Sequence, residues 1–92
     1  MAYFYADDNL VFLITNDRKR HLIDLKLEDL EQQLDPTQFF RLNRTYVASI
    51  GAIGKVRKYF NSRLKVELKP ATQNEVLVSR AKAPNFMSWM DQ

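Results

Sequence analysis

The sequence predicts a mainly β domain with short helices, and three observations carry that prediction. The stretch "RLKVELK" (residues 63–69) alternates strictly, with Leu64, Val66 and Leu68 on one face and Arg63, Lys65, Glu67 and Lys69 on the other. Successive strand side chains point to opposite faces, so one side meets a core and the other, mostly cationic, meets water. "YFY" (3–5) and "NLVFLIT" (9–15) are rich in aromatic and β-branched residues, which suit a pleated, half-buried surface. Helical spacing occurs only in short pieces: Leu27, Leu30 and Leu34 near the middle, and Phe86, Trp89 and Met90 at the end.

The elements follow in order. "NDRK" at Asn16 to Lys19 has turn chemistry and leads from the strand at 9–15 into a partner, "RHLIDL", which makes a hairpin. "LEDLEQQL" is a helix of two to three turns, ended by Asp35-Pro36 because the residue before proline is pushed out of the helical region. So short a helix must pack on a sheet. "FFRLNRTYVASI" (39–50) begins and ends like a buried strand, yet holds Asn43, Arg44 and Thr45 together in its middle. Three consecutive polar groups cannot all leave a core when side chains alternate, so either the strand breaks or something outside wants them. "GAIG" holds both glycines and marks a loop or bend, "KVRKYF" runs to a turn at Asn61-Ser62, and "PATQN" is a loop before the strand "EVLVSR". Pro84 opens the terminal helix. Phe60 is assigned to the sheet core, and Tyr59 lies between core and a base-stacking role.

Length and composition bound the function. The 92 residues make one domain with room for a modest core. There is no cysteine, hence no disulfide, thiolate metal site or thiol nucleophile. No apolar run approaches the roughly 20 residues of a membrane helix, and "MAYFYADD" lacks the order of a signal peptide. A cytoplasmic protein without membrane attachment is expected. No catalytic site is expected either: His21, the one histidine, sits in a hairpin strand without a serine or acid to form a constellation. No P-loop, HExxH or metal-spaced cluster occurs, so neither metal nor cofactor is expected. "NRT" matches the glycosylation triplet, but nothing else points to secretion.

Charge is more informative by position than in sum. Residues 1–40 hold four basic and eight acidic groups; residues 41–82 hold ten basic groups against Glu67 and Glu75. A domain with one positive side draws polyanions. Within that half, polar residues fall at strand ends and turns, and Asn and Arg carry the paired donors and acceptors that suit base edges. Thr and Ser hydroxyls suit phosphate oxygens. No helix-turn-helix or long basic helix is present, so any reading of DNA would come from loops on a sheet scaffold. A sheet-built module meeting RNA or an acidic protein stands as the alternative, and a small enzyme as a more distant one.

"FFRLNRTYVASIGAIGKV", with "EVLVSR" after it and "ADDNLVFLIT" ahead, resembles the LytTR DNA-binding domain over nearly the whole chain. The resemblance implies an elongated β-fold of small antiparallel sheets with a short central helix and a C-terminal helix. It also implies a role as the output domain of a bacterial response regulator, after an upstream receiver domain, on imperfect direct repeats of double-stranded DNA. Residues 1–92 then form a single domain beginning at the family's second strand, without its first strand or the receiver. Carried over, base contacts fall at Asn9, Arg44 and Arg80, and backbone contacts at Asn43, Thr45, Arg63, Lys65, Ser79 and Lys82. The sequence departs from the family's pattern at Asn43, where histidine is usual, and at Thr45, where serine is usual. Each base-contact residue is open to a second reading: Asn9 as a strand start, Arg44 as the partner of an N-terminal acid, Arg80 as a stabiliser of a helix end.

Overall fold

The computed structural model describes residues Met1–Gln92. The N-terminal half forms a five-stranded antiparallel sheet of β1 (Tyr3–Asp7), β2 (Leu10–Ile14), β3 (Arg20–Ile23), β4 (Phe39–Arg41) and β5 (Tyr46–Ser49), in the order β3-β2-β1-β5-β4. Alternation divides its side chains between two cores. Phe4, Val11 and Val47 face α1 (Leu27–Gln33), which buries Leu27 and Leu30 against them. Seven residues cannot hold a helix in water, so that burial is what keeps α1 folded. It ends at Gln33, with Leu34 already extended one residue ahead of the Asp35-Pro36 step.

Tyr3, Tyr46 and Ala48 point to the opposite face, onto the second layer. That layer is a three-stranded antiparallel sheet of β6 (Ile53–Lys58), β7 (Leu64–Leu68) and β8 (Val76–Val78), joined by α2 (Ala83–Met90). Leu42, Val66, Val76, Val78 and Phe86 are the fully enclosed centre of this larger core. Phe40 connects sheet and helix: its ring meets Phe86 edge-on at 5.7 Å and Trp89 at 5.2 Å. Trp89 satisfies its indole by donating to the Pro36 carbonyl at 3.1 Å, so α2 is fixed through a polar as well as an apolar contact. The molecule spans 33 Å along its long axis and 25 and 23 Å across it.

The polar triplet within residues 39–50 marks a break in the strand. The chain turns between β4 and β5, which pair as a hairpin with Arg41 opposite Val47, while Leu42 and Tyr46 stay buried on either side of the turn. "GAIG" is only partly a loop. A single 3₁₀ turn covers Ile50–Ala52, and Gly54 lies within β6 beside a bulge between Ile53 and Val56. A Cβ on Gly54 would lie 3.0 Å from the Glu67 carbonyl oxygen, so glycine permits the close approach of β6 to β7. The run 9–15 also divides: β2 starts at Leu10, and Asn9 belongs to the turn before it.

The expectation for Phe60 is overturned. Its side chain is 75% exposed, because Asn61 and Ser62 both take positive φ (59° and 61°) and swing the tip of the β6–β7 connection clear of the sheet. Val66 and Leu68 are buried as the alternation requires, whereas Leu64, at the strand's outer end, is half-buried against the core.

Candidate nucleic-acid interface

Strand register brings two of the sequence-selected loops to one end of the large sheet. Asp8 and Asn9 form the two-residue link between β1 and β2, closed by the Asp7–Leu10 pair. Both have positive φ (56° and 72°), the backbone of a type I′ hairpin turn, which Asp and Asn tolerate better than other non-glycine residues. Asn9 is therefore an exposed turn residue and does not initiate a strand. On the neighbouring strand Tyr5 pairs with Tyr46, and the Ala6 N–H donates to the Thr45 carbonyl at 2.8 Å. The 43–45 turn thus lies beside the Asp8-Asn9 tip.

Within that turn the three polar residues part company. Asn43 is used inside the protein: Oδ1 accepts the N–H groups of Thr45 (2.8 Å) and Tyr46 (3.0 Å), and Nδ2 donates to the Leu77 carbonyl at 2.8 Å. One amide therefore shapes the turn and ties it to β8. Arg44 is exposed, and its guanidinium has no hydrogen bond or ion pair within the protein. Thr45 is half-buried, at the rim of a cleft lined by Tyr3, Tyr5 and Tyr46. Burial raises the pKa of Tyr3 and Tyr46, which holds both as neutral phenols.

Arg41, which sequence reasoning passed over, braces the same turn. Its Nε donates to the Asn43 carbonyl (2.9 Å) and its Nη2 to the Arg44 carbonyl (3.1 Å). The same guanidinium reaches Glu31 at 3.2 Å and Glu28 at 3.5 Å on α1. The ion pair with the N-terminal half that Arg44 was open to making belongs instead to Arg41. An arginine in a strand next to phenylalanines gives no sequence signal of this role, because two of its partners are main-chain carbonyls.

The third loop follows β8. The Leu77 carbonyl is held by Asn43, and the chain then turns at Ser79–Lys82 into α2. Ser79 shapes that turn, its Oγ accepting the Lys82 N–H at 3.2 Å and its carbonyl accepting the N–H groups of Lys82 and Ala83. Arg80 is exposed at the apex, with no side-chain partner and no part in stabilising the helix end. Lys82 returns toward β4, its ammonium 5.4 Å from the centre of the Phe40 ring. Burial lowers the Lys82 pKa, with Glu31 acting against that shift and Arg41 adding to it.

Register also places the β6–β7 tip here, since Leu64 lies between Lys58 and Val78. Arg63 donates to the Phe60 carbonyl at 3.1 Å and its guanidinium sits 5.1 Å from the centre of the Tyr59 ring. Lys65, on the outer face of β7, is not free: Glu75, just before β8, lies 3.5 Å away. The structure therefore gathers Asn9 and the 43–45 turn at one end of the large sheet, and links them through Asn43 and Lys82 to the Ser79–Lys82 turn. Two unpartnered guanidinia, Arg44 and Arg80, stand on loops that other side chains hold in place. Such groups can form bidentate hydrogen bonds to guanine edges or to phosphates.

The family model of the LytTr DNA-binding domain matches residues 1–91. The transcriptional regulatory protein YpdB of Escherichia coli is 27% identical over 88 residues, 96% of this chain, and the same protein of Shigella flexneri matches to the same extent. The chain spans 35% of the length of these relatives. Among solved structures, a LytTr DNA-binding domain from Bacillus cereus superposes with a TM-score of 0.81 at 18% identity, over 99% of this chain and 81% of that one.

Proposed function

The chain belongs to the LytTR DNA-binding domain family, and on that premise we propose that it reads duplex DNA as the output domain of a response regulator. An upstream receiver domain completes the protein in this reading, which fits the greater length of the YpdB relatives. The loops at Asp8-Asn9, 43–45 and Ser79–Lys82 enter successive major grooves of imperfect direct repeats.

The observation that carries the reading is the pair of free guanidinia on braced loops, Arg44 and Arg80. An arginine kept for a base edge must be unpaired in the free protein and fixed in position before it binds, so that little ordering entropy is lost on binding. Asn9 is assigned to a base edge as well. Its neighbours Asp7 and Asp8 are exposed acids that suit no phosphate, whereas an asparagine amide matches the adenine pattern. Thr45, Arg63, Ser79 and Lys82 contact the DNA backbone, with Lys65 at the margin, where Glu75 offsets part of its charge. Asn43 enters as the support of the Arg44 loop, its amide being occupied within the protein.

Electrophoretic mobility shifts over a series of salt concentrations, with promoter duplex and single-stranded RNA in parallel, test the assignment. The expected outcome is preference for duplex, with log K falling linearly as log salt rises. Equal or tighter binding to the RNA, or affinity that ignores salt, would point to an interaction module of another kind.

A further inference from the structure

Phe60 is the large apolar side chain most exposed to solvent, at 75%, and the surrounding contacts hold it there. Its ring meets Tyr59 edge-on at 5.2 Å, and the Arg63 guanidinium lies over the Tyr59 ring, 5.1 Å from its centre. The tip is closed by hydrogen bonds from the Tyr59 N–H to the Arg63 carbonyl (2.9 Å) and from Arg63 Nε to the Phe60 carbonyl (3.1 Å). Asn61 and Ser62, both at positive φ, complete a stiff projection. Lys58 and Arg57 stand exposed on the strand leading into it. Strand register puts the tip next to the Ser79–Lys82 turn, since Leu64 pairs with Val78.

We propose that Phe60 is an apolar wedge that enters the DNA at a base step and partly unstacks it, with Arg63 and Lys58 on the flanking phosphates. The inference rests on the duplex-binding reading above and adds to it a deformation of the DNA. A wedge needs a rigid ring, backing that resists displacement, and cations to neutralise the phosphates brought together by the kink. The Phe60–Tyr59–Arg63 cluster and the hydrogen bonds that close the tip supply the first two, and Arg63 and Lys58 the third. Contact between Phe60 and a thymine methyl in the major groove is the other use of an exposed ring on DNA, and it leaves the stack intact.

The test uses a duplex selected from a random-sequence pool by the wild-type protein and carrying 2-aminopurine at successive positions. Unstacking raises its fluorescence. The wedge requires a rise at one step with wild type, loss of that rise in Phe60→Ala, and its retention in Phe60→Trp. Phe60→Ala also lowers affinity by about tenfold, the scale of one lost stacking contact, with an unchanged salt slope because no charge is removed. Wild-type binding with no fluorescence rise at any position overturns the wedge while leaving duplex recognition standing. So does an affinity loss in Phe60→Ala that disappears when thymine is replaced by uracil, which marks a methyl contact. Failure of the wild type to select any duplex removes both proposals together.

Discussion

Asn43 and Arg44 are adjacent and both polar, yet the structure gives them opposite tasks. Asn43 makes three hydrogen bonds that fold the turn and tie it to β8; Arg44 makes none with its side chain. Asn43→Ala leaves the Leu77 carbonyl and two N–H groups without their partner, which costs about 1–3 kcal/mol of stability for poorly solvated groups. Urea unfolding should show this as a lowered midpoint. Arg44→Ala and Arg80→Ala remove exposed, unpaired groups, so their unfolding free energies should stay within about 0.5 kcal/mol of wild type. Their effect should appear in binding instead. A lost bidentate guanine contact weakens cognate affinity by about ten- to a hundredfold, while scrambled duplex loses much less. Arg80→Lys should not restore the cognate-to-scrambled ratio, because lysine keeps the charge and lacks the planar fork. A ratio that is the same for wild type and Arg80→Ala at one fixed salt concentration would leave Arg80 a positioning role only. That Arg44 and Arg80 stand exposed on turns is legible in the sequence, as polar residues interrupting or ending apolar runs. The inward turn of Asn43 is not, because its partner Leu77 is 34 residues away and the contact exists only once the two sheets meet.

Among the elements, β7 is the most legible because alternation over its whole length encodes which face is buried. Val66 lies at the centre of the small sheet, paired with Val56 on one side and Val76 on the other, and is 2% exposed. Val66→Ala should cost about 1–3 kcal/mol through lost burial and incomplete collapse around the gap, again read as a shift in urea midpoint. An unchanged midpoint would mean that the strand's buried face carries little of the stability. The turns are less legible. The β1–β2 hairpin is closed by Asp8-Asn9 without the glycine that usually marks a type I′ turn, so Asn9 reads as the start of a strand. Gly54 reads as a bend residue but serves as the point where β6 and β7 approach, a requirement that only the paired strand reveals. Phe60 has the composition of core and the position of a tip. Hydrophobicity alone cannot register the two left-handed residues after it, which take its ring away from the sheet.

Across the whole molecule the excess of positive charge in residues 41–82 is spread over both ends of the small sheet, and only one end carries the braced loops. Lys58 sits at that end, opposite Leu64, and Lys69 follows the other end of β7. At about 3.3 Å per strand residue, Lys69 lies roughly 17 Å from the position of Leu64, beyond a Debye length of about 8 Å at physiological salt. Charge count alone treats the two lysines as equals, since both are exposed and neither has an ion-pair partner. The loop arrangement does not. If the 43–45, 59–63 and 79–82 segments form the face that meets duplex, Lys58→Ala should reduce the slope of log K against log salt by about 1, the share of one phosphate contact. Lys69→Ala should leave the slope within error of wild type. Lys58→Ala should weaken cognate and scrambled duplex in equal proportion, as a phosphate contact carries no sequence information. Equal slopes for the two variants would mean that the whole basic half attracts DNA diffusely. A larger effect at Lys69 would move the interface to the opposite end of the sheet, away from Arg44 and Arg80.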